Sequence, residues 1–512
     1  MNEKKEQNNE FKTDKKLRRL TRVQIIVGIL VVLATTAVSG VRYVGNFLFI
    51  TVSELIFTMV SPLSGTGTDT VSEIVAYCAP LIIIAIVGYT AFFFLSRWVL
   101  KRFLRKGNET HITRCRRTVM GLTLAFLLLL PAGWLYIDRV IDLSGYLRSL
   151  RDTTTIYEEQ FADPLELRPR AENPRNLILI YLESMETTYA SPDKGGIQEK
   201  NLIPRLTALA EENVNFSFRD GFGGHRAVPG TTWTTGAFFA TQSGLPFAFP
   251  ITNYAEMGRY EKFAGGTTTL GDILRADGYD LSFYMGWELQ WGGYDKYTAQ
   301  HGDYRIYDVY SAQADGTVPE DYYVWWGMED LYVFEAAKRG IAETAKGDQP
   351  FFTIVQTMDT HFPDGYECAL CDKSIEPLAA RVVDCADRQV ADFVEWCMAQ
   401  DFYENTTIII LGDHPRMDTA LVEGVAYSDR PVYNCFIHSA VEPQQSTFNR
   451  SCTTVDMFPT IMAAIGYEIP GDRLGIGTDL FSSSPTLAEE MGYAELSAEL
   501  AKSSPYFTTR FA

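Results

Sequence analysis

Three short strings carry the residue types needed to activate a hydroxyl group for phosphoryl transfer. Asn176-Leu-Ile-Leu-Ile-Tyr-Leu-Glu183-Ser is an apolar run that ends on a carboxylate. Pro229-Gly-Thr231-Thr-Trp-Thr234 places hydroxyls just ahead of an apolar, helix-compatible stretch. Thr407-Ile-Ile-Ile-Leu-Gly-Asp413-His414 is a second apolar run, closed by an acid and an imidazole. A threonine hydroxyl is a poor nucleophile until its proton is removed or its oxygen meets a metal. Glu183, Asp413 and His414 offer a mixed oxygen and nitrogen donor set suited to one Mn²⁺ or Zn²⁺, with Mg²⁺ also admissible. Such an ion lowers the pKa of bound water from 15.7 to about 7, and an alkoxide profits in the same way. Taken singly, Glu183 reads as an ordinary strand-end carboxylate and Asp413-His414 as a loop cap. Together with the threonines they read as a metal-activated nucleophile.

Those residues need elements that bring them together. From about Arg175 the chain alternates short β-branched or aromatic runs with helical periods. Strands are expected at Leu177–Leu182, Val214–Phe218, Asp280–Met285, Phe351–Gln356, Thr407–Leu411 and Val432–His438. Helices are expected at Ile203–Asn213, Thr269–Ala276, Glu329–Glu343, Ala380–Gln400 and Val455–Ile465. This alternation predicts an α/β fold with a largely parallel sheet covered by helices. Ligand sites in such sheets form at the carboxyl ends of strands, where Glu183 and Asp413-His414 fall.

The chain has 512 residues and a formal charge of −19, unevenly spread. Lys and Arg crowd the first 117 residues, whereas the acid lies mostly beyond Asp138. An acidic catalytic half has no basic stripe for a phosphate backbone, which argues against nucleic acid as a partner. Val23–Gly40, Ile74–Trp98 and Thr118–Ile137 are apolar and long enough to span a bilayer core of about 30 Å. Basic residues precede the first span and follow the second, while Arg42 is the one Lys or Arg between them. The positive-inside rule then puts both basic segments in the cytoplasm and everything after Asp138 outside. Val44–Leu63 contains Asn46 and Glu54 and reads as an interfacial segment rather than a span. The expected organisation is a basic tail at 1–22, here read as disordered in its first 20 residues, a membrane region at 23–137 and a connector at 138–174. A catalytic domain at 175–485 and a tail at 486–512 complete it. Of eight cysteines, Cys368, Cys371, Cys385, Cys397, Cys435 and Cys452 fall in the outer part. An oxidising compartment there would permit a disulfide from the Cys368–Cys371 loop to Cys385.

As a set, the motifs of about Pro174–Ser483 resemble the alkaline phosphatase–sulfatase superfamily, in its lipoteichoic acid synthase and phosphoglycerol transferase I branch. They are Leu182-Glu183-Ser184, Pro229-Gly-Thr231-x-x-Thr234, Gln242-Ser-Gly-Leu-Pro246, Met358-Asp-Thr-His361-x-Pro-Asp-Gly365, Gly412-Asp413-His414, Val455-Asp456-x-x-Pro459-Thr460 and Gly475-x-Gly477-x-x-Leu480. Glu54–Gly65 resembles a segment between the first spans of phosphoglycerol transferases. The resemblance implies one divalent metal on Glu183, Thr231, Asp413 and His414. It also implies a membrane enzyme of the bacterial cell envelope with an extracytoplasmic catalytic part. Such an enzyme would move glycerophosphate from phosphatidylglycerol to a glycan, glycolipid or polymer, through a covalent threonine intermediate. His361 matches the family's substrate-binding histidine, and Trp291 lies where relatives place groups around glycerol. The histidine and arginine of the synthase branch have no match there, which favours the transferase branch.

The hydroxyl-x-x-hydroxyl spacing is met by Thr231 with Thr234 and by Thr232 with Thr235. The preceding Pro-Gly selects Thr231 as the expected nucleophile; His225 nearby is read as structural. Two alternatives share the fold. A sulfatase requires Cys or Ser in C/S-x-P-x-R to form formylglycine, and threonine followed by Thr-Trp-Thr lacks that motif. A phosphoethanolamine transferase also uses threonine, but its relatives usually carry more spans and another cysteine framework.

Overall fold

The computed structural model describes residues 2–48, 51–52, 55–56, 68–105, 109–249 and 263–511. The Val44–Leu63 segment and the Glu54–Gly65 resemblance fall mostly outside them. The chain forms two compact units, residues 1–48 with 68–146, and residues 49–67 with 147–512.

In the first unit, among the described residues, the apolar runs form three helices long and apolar enough to cross a membrane, at Lys15–Phe47, Ser72–Leu104 and Thr110–Ile141. Each extends beyond its apolar stretch at both ends, because flanking Lys, Arg and Glu are themselves good helix formers. The first helix starts at Asn2, so the basic tail expected to be disordered is helical. The side-chain pattern is inverted relative to a water-soluble bundle. Gln24, Ser39 and Thr123 are buried, while Ile84, Phe94, Leu95 and Trp98 are exposed. Gln24 Nε2 donates to Ser96 Oγ at 2.9 Å, and Tyr89 donates to the Gln24 carbonyl at 2.6 Å. Polar groups joined between helices and large apolar groups facing outward suit lipid surroundings.

The second unit is built on a seven-stranded sheet. Its strands in chain order are β1 (Asn176–Leu182), β2 (Gly224–His225), β3 (Asp280–Met285), β4 (Arg305–Tyr307), β5 (Phe351–Gln356), β6 (Thr406–Gly412) and β7 (Val432–Ile437). The spatial order is β2-β7-β6-β1-β5-β3-β4, with β6, β1, β5, β3 and β4 parallel. β7 and β2 extend one edge antiparallel. β1 is central and covered on both faces. Leu177, Leu179 and Tyr181 enter one apolar core, and Ile178, Ile180 and Leu182 the other. That is why its run is continuous rather than alternating.

Most expected elements form within two residues of their limits. Thr269 caps the helix Leu270–Ala276 with a reciprocal capping box to Asp272. Val214–Phe218 is the exception: it contributes an isolated bridge from Val214 to Phe436 instead of a strand. The Asn434 side chain occupies the place of a neighbouring strand, accepting from Phe216 N–H at 2.8 Å and donating to Phe216 C=O at 2.8 Å. A side-chain amide thus satisfies the backbone groups that a ladder would otherwise use.

The structure also redraws two expected boundaries. Of the expected connector at 138–174, residues 147–174 bridge to other parts of the second unit at Thr153–Ser503, Ala162–Gly475 and Arg170–Glu468. Residues 486–512, read as a tail, form the helices Leu487–Met491, Tyr493–Leu500 and Pro505–Phe511. Phe507 and Phe511 are fully buried, and the Phe507 ring lies 4.8 Å from Tyr157. Large aromatic side chains make these segments part of the core rather than appendages.

Candidate active site

Register alone brings the two acidic strings together. Leu182 of β1 pairs with Gly412 of β6, so Glu183 and Asp413 leave neighbouring strands side by side. Asp413 N–H still donates to Leu182 C=O at 3.2 Å. Ser184 then turns with φ +53, and its N–H donates to Asp413 Oδ1 at 2.8 Å; His414 N–H donates to the same oxygen at 2.7 Å. Glu183 is fixed through its backbone, with Thr357 accepting from its N–H and Thr360 donating to its carbonyl. The Ser184 hydroxyl donates to Glu183 Oε1.

Glu183, Asp413 and His414 are fully buried, and a ligand atom from each lies within 4.8 Å of the others. His414 Nδ1 lies 2.9 Å from Pro415 C=O. Donation to that carbonyl fixes the proton on Nδ1 and leaves the Nε2 lone pair facing the acids. Nε2 lies 3.5 Å from Asp413 Oδ2 and 3.7 Å from Glu183 Oε1. Burial alone would push the Glu183 carboxyl up, but His414, His361 and Ser184 outweigh it and hold the group low. Burial and the neighbouring Glu183 charge push Asp413 well up.

A divalent cation fits this donor set. Asp413 Oδ2 is buried without a hydrogen-bond partner, although its twin oxygen accepts two N–H bonds. A buried carboxylate oxygen left unpaired costs free energy unless something positive meets it. Two carboxylates and one imidazole converging on one point match the oxygen and nitrogen preference of Zn²⁺ and Mn²⁺.

The threonine string is the main correction. Thr231 does not reach the cluster. Its N–H donates to Val228 C=O at 2.9 Å, closing a turn in which Pro229 and Gly230 (φ +84) take the central positions. The Thr231 hydroxyl stays in that turn, bonded to Val228 N–H, Val228 C=O and Thr454 Oγ1. Three residues later Thr234 opens the helix Thr234–Ser243, with its Oγ1 3.2 Å from Glu183 Oε2 and 3.3 Å from His414 Nε2. Pro-Gly is thus a turn signal that captures Thr231 and aims Thr234. Thr232 and Thr235 are buried, and their hydroxyls make no bond to the three ligands.

His361 is buried near the cluster, with Glu183 and His414 among the charges acting on it. Burial pushes its imidazole down, and Glu183 opposes the shift. Its ring lies 4.7 Å from Trp326, which is 6.2 Å from Trp291. Trp291 stacks at 6.3 Å on Tyr294, a residue on which Asp413 and Glu183 act electrostatically. The structure therefore places Trp291 and His361 along one aromatic wall. His225 sits in β2, fully buried, its imidazole pushed down to about 3 by desolvation.

Sequence reasoning missed Asp330. Its two carboxylate oxygens accept from Met358 N–H at 2.7 Å and Asp359 N–H at 3.0 Å, holding the segment that carries His361. Its sequence signal was only a helix-start acid, which is common. It also missed the buried Arg430–Glu186 pair and Arg416, whose Nη1 donates to Thr360 C=O and whose N–H donates to Glu186.

Comparison with known proteins shows the family and the fold. Residues 175–467 match the sulfatase family, and the chain belongs to it. Phosphoglycerol transferase I of Escherichia fergusonii is 27% identical over 480 residues, covering 89% of this chain and 56% of that protein. The Salmonella choleraesuis protein of the same name is 27% identical over 468 residues, with the same coverage. The chain thus spans about half the length of these curated relatives. Among solved structures, an alkaline phosphatase superfamily protein from Vibrio parahaemolyticus superposes with a TM-score of 0.50 at 20% identity. That match covers 68% of this chain and 80% of the other, and shows a shared fold.

Proposed function

We propose that this chain is a membrane-anchored, metal-dependent phosphotransferase that moves glycerophosphate from phosphatidylglycerol to a glycan, glycolipid or polymer of the cell envelope. The observation that carries the reading is the Thr234 hydroxyl, held between Glu183 Oε2 and His414 Nε2 at the first turn of a helix. The similarity to phosphoglycerol transferases supports the donor class.

Glu183, Asp413, His414 and the Thr234 oxygen would hold the cation, which supplies positive charge for the hydroxyl and the phosphate. Thr234 Oγ1 forms a bond to phosphorus while the bond from phosphorus to the diacylglycerol oxygen breaks. The threonine proton leaves toward Glu183 Oε2, its hydrogen-bond acceptor. His361, held neutral by burial, takes up a proton from solvent and delivers it to the departing diacylglycerol oxygen. N–H groups at the start of the helix Thr234–Ser243 would steady the phosphoryl oxygens. An acceptor hydroxyl then attacks phosphorus, its proton passing to neutral His361 and on to solvent, while the bond from phosphorus to Thr234 Oγ1 breaks and the proton on Glu183 returns to that oxygen. The covalent stage lets lipid donor and acceptor use the site in turn.

The charge asymmetry around the apolar helices supports an extracytoplasmic catalytic part by the positive-inside rule. Reporter fusions after Asp138 and after Arg105 test that placement; activity of an extracytoplasmic reporter only after Arg105 would reverse it. The chemistry is tested with phosphatidylglycerol labelled in its headgroup glycerol. Diacylglycerol release, with label trapped on the peptide containing Thr234, is the expected result. An adduct on Thr231, or transfer with inverted configuration at phosphorus and no adduct, would overturn the assignment of Thr234.

A further inference from the structure

Cys368, Cys371 and Cys385 converge in a second buried cluster whose ligand atoms all lie within 4.8 Å of one another. Cys368 Sγ is 3.7 Å from Cys371 Sγ and 3.7 Å from Cys385 Sγ, and all three thiols are free. The sequence correctly suggested that Cys385 meets the Cys368–Cys371 loop, but the cysteines are not joined. A tetrahedron with metal–sulfur bonds of about 2.3 Å has S···S edges of about 3.8 Å. The cluster therefore has the span of three corners of a thiolate metal site.

A fourth donor stands beside them. Gln389 lies one helical turn after Cys385 on the same face of the helix Leu378–Met398. Its Nε2 is 3.5 Å from Cys385 Sγ and 3.8 Å from Cys368 Sγ, while its Oε1 is buried without a partner. A carboxamide's oxygen and nitrogen exchange by a half-turn about its last bond. That turn brings the orphaned oxygen to the thiols. A dication with three thiolates leaves one net negative charge. Arg388 lies close enough for Cys385 and Cys371 to act on it, and its Nη2 is buried without a hydrogen-bond partner.

We propose that Cys368, Cys371 and Cys385, with the Gln389 carboxamide, bind a thiophilic divalent cation of the Zn²⁺ class, separate from the Glu183–Asp413–His414 centre. Each thiol loses its proton on binding, and no sulfur is oxidised. The ion joins the Met358–Cys371 loop, which carries His361, to the helix Leu378–Met398. Gly365 already lies against that helix and the loop's own start: a Cβ there would meet Asp359 C=O at 2.7 Å and Val382 Cγ1 at 2.9 Å. Metal at the cysteines therefore holds the His361 segment from the side opposite to Asp330 in sequence.

The test uses the full chain in detergent, with Glu183→Gln and His414→Ala combined to remove metal from the first centre. Zinc-loaded and desalted, that variant is expected to retain about one equivalent of zinc. Adding Cys371→Ser or Cys385→Ser should lower retained zinc at least about tenfold. Co²⁺ in place of zinc should give a thiolate-to-cobalt charge-transfer band that Cys385→Ser removes. A folding failure in a serine variant is covered by the chain with native cysteines. There, the three thiols should resist maleimide until a chelator is added, then all be modified without reductant. A disulfide among them in the unreduced peptide map overturns the proposal. So does rapid chelator-independent modification of all three with no zinc retained.

Discussion

The two buried clusters of the second unit lie in the same fold but offer different donor chemistry. Glu183, Asp413 and His414 present oxygen and nitrogen from strand ends, with the Thr234 hydroxyl at a helix start bonded beside them. Cys368, Cys371 and Cys385 present sulfur from a loop and one helix face, closed over by Leu331 and Gln389. A borderline O/N site beside a nucleophile suits an ion that must exchange substrate oxygens. A sulfur site without an adjacent nucleophile suits an ion that only holds structure. The difference lies in donor type and in the hydroxyl that stands beside one cluster, more than in how many donors converge.

The strongest way to break that contrast is at the nucleophile. Thr234→Ala should lower diacylglycerol release by at least about 10³-fold and abolish the covalent adduct, whereas Thr231→Ala should retain turnover within a few-fold. The second substitution should still cost about 1–3 kcal/mol of stability, since it removes bonds inside a buried turn. The reverse ranking in a headgroup-release assay would return the nucleophile to the turn. Glu183→Ala, Asp413→Ala and His414→Ala should each lose turnover to a similar extent, with activity not restored by Mn²⁺ or Zn²⁺ up to millimolar concentrations.

Smaller effects separate positioning from ligation. His361→Ala should slow turnover by about 10²-fold while metal content stays at the wild-type value, as for a proton donor rather than a ligand. Asp330→Asn keeps only one of the two acceptors that hold Met358 and Asp359. Its kcat should fall by about tenfold with metal content unchanged. Loss of bound metal in that variant would show that the segment supports the first centre directly.

The smallest prediction concerns pH and a buried carboxyl that belongs to neither cluster. Burial pushes Asp479 up to about 7, against the bond it accepts from Phe481 N–H. An acid whose folded pKa is raised binds its proton more tightly in the native state. Its favourable contribution is therefore complete below about pH 4 and is lost as pH rises to about 7. Asp479→Asn keeps the acceptor and removes the titration. Its unfolding midpoint relative to wild type should thus rise by a few degrees between pH 4.5 and pH 7.5. A difference that stays flat over this range would show that Asp479 does not titrate there.

Much of this arrangement was legible because it depends on local pattern. Continuous apolar runs announced β1 and β6, and their last residues announced the ligands, since a parallel strand buried on both faces has little else to encode. Asp280–Met285 and Phe351–Gln356 were readable for the same reason. The short β2 and β4 were not, because two- and three-residue strands have no period to read. Val214–Phe218 looked like a strand, but Asn434, far along the chain, supplied the bonds that a strand would have made.

The sequence by itself determined the residue types of the site, the order of its motifs, the apolar helices and the parallel sheet, all of which follow from spacing within a dozen residues. It pointed to Thr231 through the preceding Pro-Gly, because nothing within a few residues shows that this turn consumes the Thr231 hydroxyl. Only the tertiary structure shows which hydroxyl stands beside the acids. The Val228–Thr231 turn consumes one hydroxyl, and the β1–β6 register sets the ligands where the helix aims another. The same holds for the cysteines. Their spacing suggested a pairing, but three-dimensional closure brought all three sulfurs to one point beside an unpaired amide oxygen.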